Sequence, residues 1–168
     1  MKRLLTAMAV AAAVASALAP TAAAQPTAPP APPTARPCEW VTAAEATDIF
    51  GKPVTLGPSS GPVSSPDTGC FYIAAADGSG VGISSELLLP GPPAAASMLA
   101  DAAAKPGAAT VNGLGVDAVC VFEPRVTPPS TTVLVLLDGG RIYRVTAAYE
   151  YCTTVERFAR TAVDRITS

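Results

Sequence analysis

The chain contains no histidine. That absence removes the imidazole general base, the Ser-His-Asp and Cys-His nucleophile systems and every histidine metal site. Lysine is nearly as scarce. Beyond the first few residues only Lys52 and Lys105 occur, and no Ser-x-x-Lys arrangement exists to support a Ser-Lys hydrolase. The cysteines Cys38, Cys70, Cys120 and Cys152 are widely scattered with no C-x-x-C spacing, which disfavours zinc. Positive charge is not concentrated into a nucleic-acid footprint, so nucleic acid is not an expected partner.

The groups left to carry chemistry are carboxylates, tyrosines and arginines. Asp117 with Glu123, and Glu150 with Glu156, are carboxylate pairs without a catalytic context, and they read as solvated or salt-bridged surface. Gly113-Leu114-Gly115 lacks the preceding strand and third glycine of a dinucleotide loop and reads as a turn. Asp77-Gly78-Ser79-Gly80 lacks the spaced oxygen ligands of a calcium loop and reads as a hairpin turn. Arg141, Arg144, Arg157, Arg160 and Arg165 are interleaved with Glu150, Glu156 and Asp164, as on a mixed solvated face. No cofactor is expected from any of these patterns.

The N-terminus opens with Lys2 and Arg3, runs through apolar residues from Leu4 to Ala19, and reaches the small-residue site Ala22-Ala23-Ala24. This predicts a secretory signal peptide over residues 1–24, with no stable membrane span once it is cleaved. Cleavage leaves 9 basic against 13 acidic residues, a net charge of about −4. Residues 25–37 are mostly Pro, Ala and Thr and form an extended spacer in which Thr27 and Thr34 are candidate O-glycosylation sites. Residues 38–168 are enough for one domain and one core.

Within that domain, Thr42 and Glu45 form a capping box, Val41 and Ala46 a hydrophobic staple, and Gly51 a left-handed stop, predicting a short helix. Residues 53–56 read as a brief strand. Cys70 to Ala75 and Val81 to Leu88 read as a hairpin, and Ala94 to Ala104 as a helix closed by Pro106-Gly107. A strand follows from Ala118 to Phe122. The run Thr132 to Leu137 is apolar on both faces, so helices are expected on both sides of the sheet there. It stops at Asp138-Gly139-Gly140, which is strong hairpin chemistry. The partner strand is expected over Arg141 to Tyr151, with Tyr143, Val145, Ala147, Tyr149 and Tyr151 on one face. Thr153 and Glu156 then read as a second capping box, opening an amphipathic helix that carries a Glu156–Arg160 pair. The resulting order is α-β-β-β-α-β-β-β-α. The class is α+β, a mainly antiparallel sheet of five or six strands with helices packed on it.

The pattern Cys38, Thr42, Glu45, Ala46, Gly51, then Cys70 followed by Phe71-Tyr72, then residues 113–118 as Gly-Leu-Gly-Val-Asp-Ala, resembles an actinobacterial family of exported domains of unknown function. Many members of that family are mycobacterial lipoproteins or secreted proteins. The resemblance spans nearly the whole domain and implies its fold rather than a chemistry. This chain lacks the lipobox of the lipoprotein members, and Cys120 and Cys152 look like an added pair. The expected bridges are Cys38–Cys70 and Cys120–Cys152, because each closes a loop within its own half, and the resemblance supports the first. In a strict meander the second pair would lie too far apart, so a bent, short or displaced strand is expected near Cys120.

These features together predict a secreted or loosely wall-associated binding domain. Its partner would be an envelope lipid or protein, and its ligand apolar or amphipathic, lying between a helix and a partly open sheet face. Trp40, Tyr72, Tyr143 and Tyr149 are the expected ligand-lining residues, since aromatic side chains with polar tips are suited to walling a groove. A small hydrolase using carboxylates and a structural wall protein are the alternatives.

Overall fold

The computed structural model describes residues 37–57, 69–74 and 81–168. The signal segment, the spacer through residue 36, the Gly/Ser/Pro-rich loop 58–68 and the turn 75–80 lie outside the described residues. Four helices occur in the described part: α1 (Pro37–Trp40), α2 (Ala43–Phe50), α3 (Pro92–Ala103) and α4 (Cys152–Thr167). They accompany seven strands: β1 (Val54–Leu56), β2 (Gly69–Ala74), β3 (Val81–Leu88), β4 (Ala108–Thr110), β5 (Asp117–Glu123), β6 (Ser130–Leu137) and β7 (Arg141–Ala148). The fold is α+β, with one antiparallel sheet in the order β1-β2-β3-β7-β6-β5-β4.

That sheet has more strands than the five or six expected. The addition is β4, whose Ala108-Ala109-Thr110 is too short and too weakly β-forming to stand out in sequence. Helix α1 is likewise an addition, and Pro37, expected to end the spacer, is its buried first residue. The Thr42–Glu45 capping box is formed, with the Glu45 amide donating to Thr42 Oγ1 at 3.3 Å and the Thr42 amide to Glu45 Oε2 at 2.9 Å. Gly51 ends α2 at φ 66°, a left-handed conformation that glycine adopts without a Cβ penalty. The Asp138-Gly139-Gly140 turn closes the β6–β7 hairpin, where Leu137 pairs with Arg141.

Topology decides which face is covered. Strand β3 lies beside β7, whereas β4 lies at the far edge, so the chain must cross β7, β6 and β5 to get from one to the other. Helix α3 makes that crossing and packs on β4, β5, β6 and β7. The opposite, inner face receives α1 and α2 over β1 to β3, and α4 over β5 to β7. The apolar run in β6 serves both layers, as its composition implied. Val133, Val135 and Leu137 belong to the inner core with Phe158 and Val163, and Leu134 joins Leu99, Val119 and Ile142 in the outer one. Each fully buried aliphatic side chain of this kind contributes about 1.5–3 kcal/mol.

The β7 strand ends earlier than the alternation of tyrosines indicates. Ser130, the first residue of β6, pairs with Ala148, so no ladder partner exists beyond that point. Tyr149 turns the chain with φ 58°, and its amide donates to the Pro129 carbonyl at 2.8 Å. Helix α4 therefore begins at Cys152 with Tyr151 at the N-cap and no side-chain cap, so Thr153 and Glu156 form no capping box. Arg160 turns to the carbonyls of Asn112 and Gly113, both at 2.8 Å, rather than to Glu156.

Candidate functional site

Both disulfides are present in the expected pairing. Cys38–Cys70 joins α1 to β2 with Cα atoms 5.1 Å apart, and Cys120–Cys152 joins β5 to the start of α4 with Cα atoms 5.9 Å apart. The second bridge needs no distortion at Cys120, which lies within a regular seven-residue strand paired with β6 throughout. The adjustment falls on the other partner. After Tyr149 the chain leaves the sheet and passes back over the start of β6, where the Thr131 hydroxyl donates to the Glu150 carbonyl. It then reaches β5, where the Tyr151 ring lies tilted against Phe122 at a centroid distance of 5.9 Å.

Three of the four aromatic residues expected to line a groove are core residues of the inner face. Trp40 meets Tyr143 edge-on at 6.0 Å, and Tyr72 meets Phe158 edge-on at 5.3 Å. The Tyr72 hydroxyl donates to the Val41 carbonyl at 2.7 Å, and the Tyr143 hydroxyl bonds the Ser85 hydroxyl at 2.8 Å, with Ser85 itself buried. Burial pushes both phenol pKa values well above the ordinary range, so both stay neutral. Tyr149 is 56% exposed on the turn and does not join the other three. None of the four lines the depression that the structure does form between a helix and an open sheet face.

That depression is on the outer face, a groove of about 420 Å³ between α3 and the strands beside it. Strand register builds its floor. Ser84 on β3 pairs with Thr146 on β7, Thr146 with Thr132 on β6, and Thr132 with Val121 on β5, giving a cross-strand row that begins with Phe71 opposite Ser84. One step along, Glu86 pairs with Arg144 and Arg144 with Leu134. The Thr132 and Thr146 hydroxyls bond each other at 2.9 Å. Arg144 holds Glu86 by Nε at 2.7 Å and Nη2 at 2.5 Å. Met98, Asp101, Ala102 and Lys105 of α3 form the wall, and Lys105 also reaches Glu123 at 3.3 Å.

A smaller depression of about 260 Å³ lies on the other flank of α3, against Thr110, Asp117 and Leu136. Asp117 is committed there, accepting from the Ala118 amide at 2.8 Å. Among the described residues no group of three or more acidic or cysteine side chains is placed to hold a metal. In the larger groove Glu86 is tied to Arg144, and Asp101 stands on the α3 wall. The arrangement is suited to hydrogen-bonded recognition of a ligand with polar groups on one side and apolar contact on the other.

Alternation puts Arg144 and Thr146 on the strand face opposite Tyr143 and Val145, but nothing local places Ser84, Glu86 or Thr132 beside them. Their meeting depends on β3 pairing with β7 across 58 residues, as the Glu86–Arg144 contact shows. The only available signal was alternation, with small or polar residues at every second position of two separate strands. The described residues thus form an α+β fold with a sheet covered on both faces and an open polar groove beside α3. No family model, no curated protein and no solved structure matches it.

Proposed function

We propose that the chain is an exported binding or interaction domain that works at the cell envelope or outside the cell, and that its ligand lies in the groove between α3 and the open half of the outer sheet face. The observation that carries this reading is the groove itself, where a hydroxyl row and a guanidinium–carboxylate pair are presented beside Met98, Leu134 and Val121. Engagement of all four cysteines in disulfides supports an oxidising compartment. Among the described residues no helix is long and apolar enough to cross a membrane. Membership of the actinobacterial family of exported domains is part of the same proposal and rests on the helix-cap, cysteine and glycine pattern.

Amide shift mapping of the isotopically labelled domain against an envelope extract tests the site. Perturbation centred on Ser84, Arg144 and Thr146, and lost in Arg144→Ala, is the expected result. Shifts confined to the inner-face helices, or turnover of a substrate abolished by one carboxylate substitution, would replace the proposal with another.

A further inference from the structure

We infer that the groove takes a neutral saccharide chain, lying along the cross-strand hydroxyl row with one sugar ring stacked on Phe71. The inference rests on the outer face being the binding surface and adds the chemical class of the ligand.

Charge is the first argument. The groove is lined by Arg144 and Lys105 against Glu86 and Asp101, so the two signs balance and the site offers no net attraction to a phosphate headgroup or any other anion. Donor and acceptor chemistry is the second. A guanidinium only donates, a carboxylate only accepts, and the hydroxyls of Ser84, Thr132 and Thr146 do both. Neighbouring sugar hydroxyls also donate and accept, and a floor of this mixed kind satisfies them in either sense. An acyl chain would instead leave these polar groups desolvated without new partners, at a cost.

The third argument is Phe71. A Cβ placed on Gly57 would fall 2.4 Å from Phe71 Cδ1, and one on Gly82 would fall 2.9 Å from Cε2 and Cζ. Opposite edges of the ring therefore rest on two glycines in the flanking chain segments, and the ring lies across the sheet in space that any side chain there would fill. Glycine within a strand marks such close approach. The ring is half-buried on the part of the outer face that α3 does not reach. Its negatively polarised face suits the C–H groups of a pyranose ring. From Phe71 through Ser84 and Thr146 to Thr132 the row crosses three inter-strand steps, about 14 Å at 4.7–4.9 Å each, which a short oligosaccharide spans.

The test is titration of the labelled domain with cellotetraose, maltotetraose, mannotetraose and N-acetylchitotetraose, with dihexanoylphosphatidylglycerol as the amphiphile control. At least one tetrasaccharide should shift the amides of Ser84, Thr132 and Thr146. Phe71→Ala and the double variant Thr132→Val/Thr146→Val should each weaken it roughly tenfold, the scale of losing one or two hydrogen bonds or a stacking contact. The double variant replaces both members of a hydroxyl pair by groups of the same shape and keeps its melting temperature, so its loss of binding is not a loss of fold. Equal binding by both variants overturns the inference. Outer-face shifts with the phospholipid and none with the sugars overturn the saccharide assignment and leave the groove standing. Outer-face shifts with neither these probes nor the envelope extract remove the binding surface as well.

Discussion

The two faces of the sheet are built to different standards. Three helices seal the inner face, its large side chains Trp40, Tyr72, Tyr143 and Phe158 are at most 1% exposed, and even its phenol hydroxyls have partners. Among the described residues one helix covers part of the outer face, and the part beyond it carries hydroxyls, an ion pair, Ile73 and the Phe71 ring over two glycines. Among the described residues no buried side-chain polar atom is left without a partner, so the contrast is not one of good and bad packing. Most of the buried apolar side chains lie on one side of the sheet, and only α3 packs on the other.

The largest test of that division is Phe158→Ala. Phe158 is fully buried against Tyr72 and Phe50, and truncation should cost about 3–5 kcal/mol in urea unfolding. Thr146→Ala on the outer face should cost less than about 1 kcal/mol. Comparable losses at the two sites would erase the distinction. Next in size is the inner-face bridge. Cys120 and Cys152 are 32 residues apart, and Cys120→Ala/Cys152→Ala should lower stability by about 3–4 kcal/mol through release of that loop in the unfolded chain. Amide exchange should then rise first at the start of α4, because the bridge is what fastens that end to β5.

A smaller and more local effect is expected at Tyr143. Phenylalanine there keeps the ring against Trp40 but strands the buried Ser85 hydroxyl, for a loss of about 1–3 kcal/mol. Adding Ser85→Ala should recover most of it. If the double variant is no better than Tyr143→Phe alone, the hydroxyl pair is not what the phenol provides.

How much of this was legible in the sequence follows from how local each signal is. The Thr42–Glu45 box, Gly51, the Asp138-Gly139-Gly140 turn and the two-sided burial of β6 are encoded within a few residues, and each is found where sequence placed it. The end of β7 was misplaced because alternation continues through Tyr149 and Tyr151 although the partner strand runs out at Ser130. The aromatic residues were expected to line a groove because composition cannot tell an inner face from an outer one. The polar residues of the groove floor belong to β3, β6 and β7, and only the long-range order of the sheet brings them together.

The smallest expected effect concerns the ion pair that ties α2 to α4 on the sealed side. Arg165 Nη1 donates to the Trp40 carbonyl at 2.7 Å and to Glu45 Oε2 at 2.9 Å, while Nη2 meets Oε1 at 2.5 Å. The Arg165 hydrogen bonds first, and then the Thr42 amide and hydroxyl, hold the Glu45 carboxyl at about 2, against an ordinary 4.5. A folded-state value below the unfolded one means that the ionised carboxylate contributes stability fully above about pH 4.5, and that this contribution is lost as pH falls toward 2. Both side chains are about one-third exposed, so solvent screening limits the gain to less than about 1 kcal/mol. Glu45→Gln should therefore lower stability slightly at pH 7 and leave it nearly unchanged at pH 2. Denaturation curves at both values decide it, and a deficit of the same size at pH 2 would show that the side chain acts through helix capping alone rather than through its charge.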